Sequence, residues 1–273
     1  MSDRDRLAGV FWLGGMSGVG KTTAARALAH RHDLRLYSFD AHQFEHASRL
    51  PPETRTLDEI WVDTTPEAIA DWFEDRCRER FPLVLADVLG LRDDAPVLVD
   101  GPQALPDLVA PVIPSPEHVL YVVASREMQE PLVRGRGSGV ASQVRDPERA
   151  VENRLGRDEE LVQRLRADAA KHGLPLVEVA DVTETLPMIT RHFEPLLATW
   201  IDAPHGDVGA RRRDENDARL RQWRLYSDSI GVEPTGELGF ACECETPGCE
   251  LSVASGLLEA ETARGHGEPL LAH

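Results

Sequence analysis

The stretch that decides the fold is Gly15-Met16-Ser17-Gly18-Val19-Gly20-Lys21-Thr22. It has the spacing of a phosphate-binding loop: a glycine, four residues, and then Gly, Lys and Ser or Thr. Its glycines let successive backbone N–H groups point inward around a phosphate, and a helix that begins here adds the partial positive charge of its N-terminus. At the residue frequencies of this chain, the pattern arises by chance about once in a thousand sequences. A bound nucleotide is therefore expected to contact Gly15, Ser17, Gly18, Val19, Gly20, Lys21, Thr22 and Thr23.

Lysine is almost absent from the rest of the chain, which supports a functional role for the lysine in the loop. Lys21 and Lys171 are the only lysines among the 30 basic residues. The alternative, a glycine turn that merely follows a strand, has no need of a lysine. Lys21 is expected to reach the β- and γ-phosphates, and the Thr22 hydroxyl is expected to ligate Mg²⁺.

Apolar runs on both sides of the loop indicate the fold class. Residues 10–13 predict a strand before the loop, and residues 21–32 predict a helix after it. Strands that alternate with helices over long connections indicate parallel pairing through right-handed crossovers. The sequence therefore predicts an α/β fold, with a five-stranded parallel sheet and helices on both faces. The other four strands are predicted at residues 34–39, 96–101, 118–125 and 174–181.

Two acidic residues are expected beside the loop, because parallel strands end at the same edge of a sheet. Asp100 follows the apolar run 97–99 and is placed to hold Mg²⁺, directly or through water. The alternative for Asp100 is an acid that begins the turn before Gly101. Asp40 ends the second predicted strand, where a carboxylate can accept the proton of a substrate hydroxyl during in-line attack on a γ-phosphate.

With these motifs, residues 9–200 resemble a P-loop kinase of the group that includes the shikimate, gluconate and nucleoside monophosphate kinases. The resemblance implies an ATP-dependent, Mg²⁺-requiring enzyme that transfers the γ-phosphoryl group to a hydroxyl of a small molecule. It also implies an arginine-bearing lid, whose charge stabilises the transferred phosphoryl. Arg154 and Arg157 are the candidate catalytic arginines, and a solvated charged face is the alternative for most arginines of this stretch. The other arginines at the position of the lid are Arg126, Arg134, Arg136 and Arg145.

Two further functions stay open. A nucleotide kinase would use the same loop, but the spacing of Arg134 and Arg136 differs from the arginine spacing of nucleotide kinase lids. A nucleotide-dependent switch or ATPase would bind a partner through a zinc-containing C-terminal module. Such a switch normally carries a guanine-binding Asn-Lys-x-Asp element, which this sequence lacks.

The composition argues against several classes of protein. A formal net charge of −17 argues against nucleic acid as a partner. No apolar run approaches the roughly 18 residues of a membrane helix, so a membrane is not an expected partner. The charged N-terminus leads at once to the loop, which argues against a cleaved signal peptide, and the few cysteines suit a reducing compartment. We therefore expect a soluble, cytoplasmic protein.

Cysteines near the C-terminus predict a second kind of site. Cys242, Cys244 and Cys249 lie within eight residues around a Pro-Gly turn, and thiolates this close can converge on one ion. Tetrahedral Zn²⁺ needs a fourth ligand, for which His273 and His266 are the candidates. The alternative is free thiols in a loosely ordered tail. The segment is similar to a short cysteine module ending in a histidine at the C-terminus of some bacterial proteins, which implies structural zinc.

A change in composition predicts the domain organisation. Residues 203–216 are rich in Pro, Gly and charge and are expected to link two units. The first unit, residues 1–202, is the expected P-loop kinase domain. The second unit, residues 217–273, is expected to contain a helix over 218–226 and a cysteine-rich segment that a metal stabilises.

Overall fold

The fold is that of a computed structural model, which describes residues 6–92, 94–135, 143–198, 200, 206–232 and 236–273. Within these residues the main sheet has five parallel strands in the order β2-β3-β1-β4-β5. The predicted α/β fold with a five-stranded parallel sheet is therefore confirmed. The strands are β1 (Val10–Gly15), β2 (Arg35–Ser38), β3 (Val97–Asp100), β4 (Val119–Ala124) and β5 (Leu176–Val179).

Helices cover both faces of this sheet. They are α1 (Lys21–Arg31), α2 (Gln43–Ala47), α3 (Leu57–Trp61), α4 (Pro66–Gly90), α5 (Pro106–Val109), α6 (Arg126–Gly135), α7 (Pro147–His172), α8 (Thr185–Leu197), α9 (Val208–Ile230) and α10 (Leu257–Gly265). Helices α1 and α8 pack on one face, and α4 and α7 pack on the other. Among the described residues, no helix is long and apolar enough to cross a membrane.

The central strands are buried on both sides, which is why they read as continuous apolar runs. Successive side chains of a strand point to opposite faces, so in β1 Trp12 packs toward α4 and α7, whereas Phe11 and Leu13 pack toward α1 and α8. The Trp12 ring lies 5.7 Å from the ring of Phe81 on α4. This two-sided core fixes β1 and thereby the loop that follows it.

A smaller unit follows the sheet. Strands β6 (Leu238–Ala241) and β7 (Ser252–Ser255) pair antiparallel and pack with α9 and α10 around a core that includes Leu220 and Phe240. The Asn216 side chain ties α9 to β6, because its Oδ1 accepts from the Ala241 N–H at 2.8 Å and its Nδ2 donates to the Ala241 carbonyl at 2.9 Å. The unit therefore has an apolar core and a buried polar clamp.

Most of the predicted linker, residues 203–216, is helical where the structure describes it. Residues 203–205 lie outside the described residues, but 208–216 form the first part of α9, which was predicted only over 218–226. The reason is that its charged residues find partners in the first unit instead of water. Arg212, which is 2% exposed, donates to Asp33 Oδ1 at 3.0 Å. The division of the chain into two domains stays a prediction.

Candidate nucleotide-binding site

The phosphate-binding loop leaves β1 at Gly15 and enters α1 at Lys21. Gly15 has a φ of 110°, and a Cβ there would lie 1.9 Å from the carbonyl oxygen of Val122. Gly20 is the N-terminal cap of α1 and has a left-handed conformation with a φ of 79°. Gly18, within the loop, also has a positive φ, of 87°. No side chain caps the helix. The first N–H groups of α1, which a helix leaves without internal partners, are therefore open to an anion.

The other loop residues divide into exposed and buried positions. Ser17, Thr22 and Thr23 are exposed, so a ligand can reach them. Val19 is buried, and its carbonyl oxygen accepts a hydrogen bond of 2.5 Å from Thr185 Oγ1 at the start of α8. Helix α8 therefore contacts the loop at this buried residue.

Lys21 is buried in the loop, being only 5% exposed. Its Nζ donates to the carbonyl oxygen of Met16. Burial lowers the pKa of Lys21 below its usual value, although the carboxylates of Asp100, Asp40 and Asp158 act to raise it. The ammonium group is therefore desolvated and lies within electrostatic reach of three carboxylates.

Thr22 and Asp100 meet beside this lysine. The Thr22 hydroxyl donates a hydrogen bond of 2.7 Å to Asp100 Oδ2. Asp100 is 1% exposed, and nothing in the described part of the chain donates to its other oxygen, Oδ1. Burial raises the pKa of Asp100 to about 6; Lys21 and the Thr22 hydrogen bond act to lower it, and Asp40 acts to raise it. A buried carboxylate oxygen without a partner, next to a hydroxyl, is a donor set that suits Mg²⁺.

Asp40 begins the 3₁₀ turn directly after β2, at the sheet edge where the loop lies. Its carboxylate is exposed, and its Oδ1 accepts from Gln103 Nε2 at 3.4 Å. Asp40 also contributes to the pKa shifts of both Lys21 and Asp100, so the three charges are within electrostatic reach. The structure therefore brings Asp40 to the loop with an accessible carboxylate.

The two candidate catalytic arginines lie on α7. The Arg157 guanidinium stacks over the rings of Trp61 and Phe73 at 5.1 and 5.6 Å, and its Nη2 lies 2.6 Å from Asp158 Oδ1. Arg157 lines a narrow cavity of about 40 Å³ together with loop residues that include Met16 and Ser17. Arg154 lies one turn earlier on α7 and is half-buried.

Three of the other arginines predicted for the lid lie in the described residues, and each forms ion pairs with acidic side chains. Arg126 and Arg134 on α6 both donate to Glu152 on α7, at 2.9 and 2.5 Å. Arg145 is exposed and pairs with Asp58 on α3 and with Asp63 after it. Arg136 lies outside the described residues. The alternative of a solvated charged face therefore describes Arg126, Arg134 and Arg145.

Sequence reasoning missed one wall of the site. A cavity of about 640 Å³ opens between α1, the end of β2 and α9, and both Thr22 and Asp40 line it. The opposite wall belongs to α9, part of which was assigned to the linker. The missed signal is helical spacing that begins inside the predicted linker and continues beyond it. The α9 residues on this wall are Glu215, Ala218, Arg219, Gln222, Trp223 and Tyr226.

The cysteines converge in the smaller unit. Ligand atoms of Cys242, Cys244 and His273 lie within 4.8 Å of one another, and Cys242 Sγ is 3.9 Å from His273 Nδ1. Burial acts to raise the pKa of Cys244, but hydrogen bonds from the backbone and from the Cys249 thiol outweigh it and lower that pKa. Cys249 therefore lies against the cluster, whereas His266 caps the C-terminal end of α10.

These features define a class of protein. A parallel sheet with a glycine-rich loop after its central strand and a buried acid at the end of the neighbouring strand is the site of a P-loop nucleotide-binding protein. A family model described as "AAA domain" matches residues 10–161, more than half of the chain. The chain belongs to this family of P-loop NTPases, which is kinase-like. A comparison with curated proteins finds no match.

Proposed function

We propose that the protein transfers the γ-phosphoryl group of ATP to a hydroxyl of a small molecule. The observation that carries this proposal is the cavity of about 640 Å³ whose lining includes both Thr22, at the phosphate loop, and Asp40. An acceptor bound there has a carboxylate beside it and the phosphate loop in front of it, which is the arrangement that in-line transfer needs. A cavity of this size suits a small molecule.

Each residue at this end of the sheet has a separate task in the proposed reaction. Lys21 and the first N–H groups of α1 bind the phosphates and neutralise the charge that develops on the transferred group. Asp40 accepts the proton of the acceptor hydroxyl while the hydroxyl oxygen forms a bond to the γ-phosphorus. The bond from that phosphorus to the bridging oxygen breaks, and ADP leaves. Arg154 and Arg157 supply further positive charge to the transferred group.

Mg²⁺ fits the Thr22–Asp100 pair, because the unpartnered Asp100 oxygen and the hydroxyl are both hard oxygen donors. These two residues would hold the ion directly or through water. When bound, Mg²⁺ would neutralise part of the negative charge of the triphosphate.

The proposal is tested by measuring ADP release from ATP in the presence of a panel of hydroxyl compounds. We expect at least one compound to stimulate ADP release. Asp40→Asn should lower phosphoryl transfer by roughly two to four orders of magnitude, the usual contribution of a general base, while the Kd for ATP changes by no more than a few-fold. Asp228→Asn, which alters an exposed carboxylate near the end of α9, is the matched control.

Other outcomes of the same measurement identify the rival functions. Stimulation by nucleoside monophosphates alone would indicate a nucleotide kinase. Slow hydrolysis that no acceptor stimulates would indicate a switch or an ATPase. If Asp40→Asn instead loses affinity for ATP, Asp40 belongs to the metal site and not to the acceptor.

We also propose that Cys242, Cys244, Cys249 and His273 hold one structural Zn²⁺. The proposal is supported by ligand atoms of three of these residues within 4.8 Å of one another and by the preference of zinc for thiolate and imidazole donors. Four protein ligands leave no position open for a substrate. Elemental analysis of protein purified without added metal should find about one zinc per chain. A zinc content near zero, with all three thiols freely reactive, would contradict the proposal.

A further inference from the structure

The charges of the cavity indicate which acceptor it takes, an inference that rests on the proposed function. Two cations, Arg26 and Arg219, and two acids, Asp40 and Glu215, line the cavity. Glu215 is already engaged, because it accepts from Arg26 Nε at 2.9 Å and lies 2.8 Å from His30 Nε2. The carboxylate of Asp40 has its proposed task at the acceptor hydroxyl. One positive charge, that of Arg219, is therefore left without a counterpart.

Arg219 has no ion-pair partner within 4.0 Å among the residues that the structure describes, and its Nε is buried without a hydrogen-bond acceptor. Burial and the nearby charge of Arg26 lower the pKa of Arg219 to about 10, while Glu215 acts to raise it. The guanidinium is therefore still charged at neutral pH. A partly desolvated cation without an acceptor is costly unless something binds to it.

Arg26 offers a second unused donor at the same place. Its Nη1 donates to the carbonyl oxygen of Gly239 at 3.3 Å, but its Nη2 is buried without an acceptor in the described residues. Each of the two arginines in the lining, one from α1 and one from α9, therefore has a buried N–H donor without an acceptor in the described residues. Such donors bind carboxylate and phosphate oxygens equally well.

The remaining wall is aromatic and held in position. The rings of Phe44 and Trp223 each lie 5.7 Å from the ring of Tyr226, and all three residues line the cavity. Gln222 Oε1 accepts from the Phe44 N–H at 3.0 Å, which fastens α9 to α2. A cavity whose walls are fixed before the ligand arrives loses less entropy on binding.

We propose that the acceptor is a small organic anion, whose carboxylate or phosphate group binds Arg219 and Arg26 while its hydroxyl lies at Asp40. The chain as a whole repels anions, with a net charge of −17, so only local cations can draw such a ligand into this cavity. The cavity lies on the β2 side of the loop, away from β4 and β5, and begins at Thr22, where the metal-bound end of the triphosphate is expected.

The test uses matched pairs of hydroxyl compounds that differ only in their anionic group. The pairs are glycerol 3-phosphate and glycerol, gluconate and glucose, and 4-hydroxybenzoate and 4-hydroxybenzamide, each titrated by calorimetry and assayed for ADP release. We expect an anionic member to bind more tightly than its neutral partner. Arg219→Gln should weaken that anion at least about ten-fold and leave the Kd for Mg·ATP and for the neutral partner unchanged. The phosphate and carboxylate pairs show which group the cavity prefers.

Two variants on the same helix serve as controls. Arg221→Gln removes an exposed charge two residues away and should leave anion binding unchanged. Arg219→Lys keeps the charge and should retain part of the affinity. Because the Arg219 charge has no partner, Arg219→Gln should not lower the melting temperature, a result that a purely structural arginine would not give.

The outcomes separate this inference from the proposed function. If neutral compounds bind and stimulate ADP release as well as their anionic partners do, the anion site is wrong and the kinase proposal stands. If anions bind in an Arg219-dependent way but none stimulates ADP release, the anion site stands and the kinase proposal fails. No Arg219-dependent binding of any of the three anions, or an equal loss of Mg·ATP affinity in Arg219→Gln, would overturn the inference.

Discussion

Charged groups differ in their ion pairing at the phosphate loop and at the contact between α9 and the sheet. At the loop, no described residue donates to the buried Asp100 Oδ1, and among these residues the Lys21 ammonium donates only to a carbonyl oxygen of the loop itself. At the contact, Arg212 donates to Asp33 at 3.0 Å, and Arg35 donates to Asp214 at 2.8 Å. Both regions are charged, but at the contact these buried arginines are ion-paired with acids, although Arg212 Nη1 and Arg35 Nη2 have no hydrogen-bond acceptor in the described residues.

The difference indicates that ion pairing of buried charged groups distinguishes an internal contact from a ligand site in this molecule. A buried polar group without a partner costs free energy, which a bound ligand or ion can offset. In buried pairs such as Arg212 and Asp33 the two charges balance each other within the protein, and the pair joins α9 to the end of α1. Arg219 belongs to α9 by sequence, yet it is unpaired as the groups at the loop are. The following predictions test this distinction, from the largest expected effect to the smallest.

Loss of the proposed zinc ligands should have the largest effect, because the proposed ion would hold the smaller unit together. Cys242→Ser should abolish zinc binding and destabilise the unit of α9, α10 and the β6–β7 hairpin by on the order of 5 kcal/mol. Denaturant unfolding with zinc analysis measures both. Cys77→Ala, in α4, should keep the zinc; equal zinc loss in both variants would mean that the cluster does not bind the ion.

Lys21→Ala tests the unpaired groups at the loop. Turnover of ATP should fall by about 10²- to 10³-fold, since the ammonium stabilises the charge of the transferred phosphoryl. The circular dichroism spectrum should not change, because Nζ bonds only within the loop. Lys171→Ala, in the last turn of α7, is the matched control and should keep full turnover. Turnover near the wild-type rate in a folded Lys21→Ala protein would remove the phosphate-loop assignment.

Arg212→Met tests the paired groups at the contact. We expect a loss of about 3 kcal/mol of unfolding free energy, because Asp33 would remain buried without its partner. Arg213→Met changes the next residue, whose side chain is 41% exposed, and should cost less than about 0.5 kcal/mol. Urea unfolding of both variants measures the difference. Equal losses would mean that burial of the pair is not what holds α9.

Glu215→Gln should have the smallest effect, and the effect should depend on pH. Burial acts to raise the pKa of Glu215, but His30 and Arg26 outweigh it and hold that pKa below its usual value. The carboxylate therefore stabilises the fold above the unfolded pKa of about 4.3, and this stabilisation is lost as pH falls through the folded value. We expect a cost of about 1–2 kcal/mol at pH 7 that shrinks below about pH 4. A cost that is constant with pH would exclude the ionised pair as its cause.

The loop could be predicted from sequence because its chemistry is local. Gly15 and Gly20 need positive φ, and Lys21 follows at a fixed spacing, so one short stretch specifies both conformation and site. Asp100 and Asp40 followed from the rule that parallel strands end at one edge. The contact of α9 could not be predicted in the same way, because Arg212 and Asp33 are 179 residues apart.

The remaining features of the site needed the fold. His273 and His266 were equivalent as zinc ligands by sequence, and only the path of the chain after α10 brings His273 to Cys242. Arg219 was one charge among many in an arginine-rich helix. Its significance depends on a cavity that three separate segments, α1, the end of β2 and α9, form together.

The central claim is that the protein, through Lys21 and Asp40 at the loop, transfers the γ-phosphoryl group of ATP to an organic acceptor. The most direct measurement follows ATP radiolabelled at the γ position during incubation with the protein, Mg²⁺ and the small molecules of a deproteinised cell extract. We predict that label appears in an organic phosphate with wild-type protein, and that Lys21→Ala and Asp40→Asn each lower the rate of its formation at least about a hundred-fold. Label found only in inorganic phosphate, released at the same rate with and without the extract, would contradict the claim.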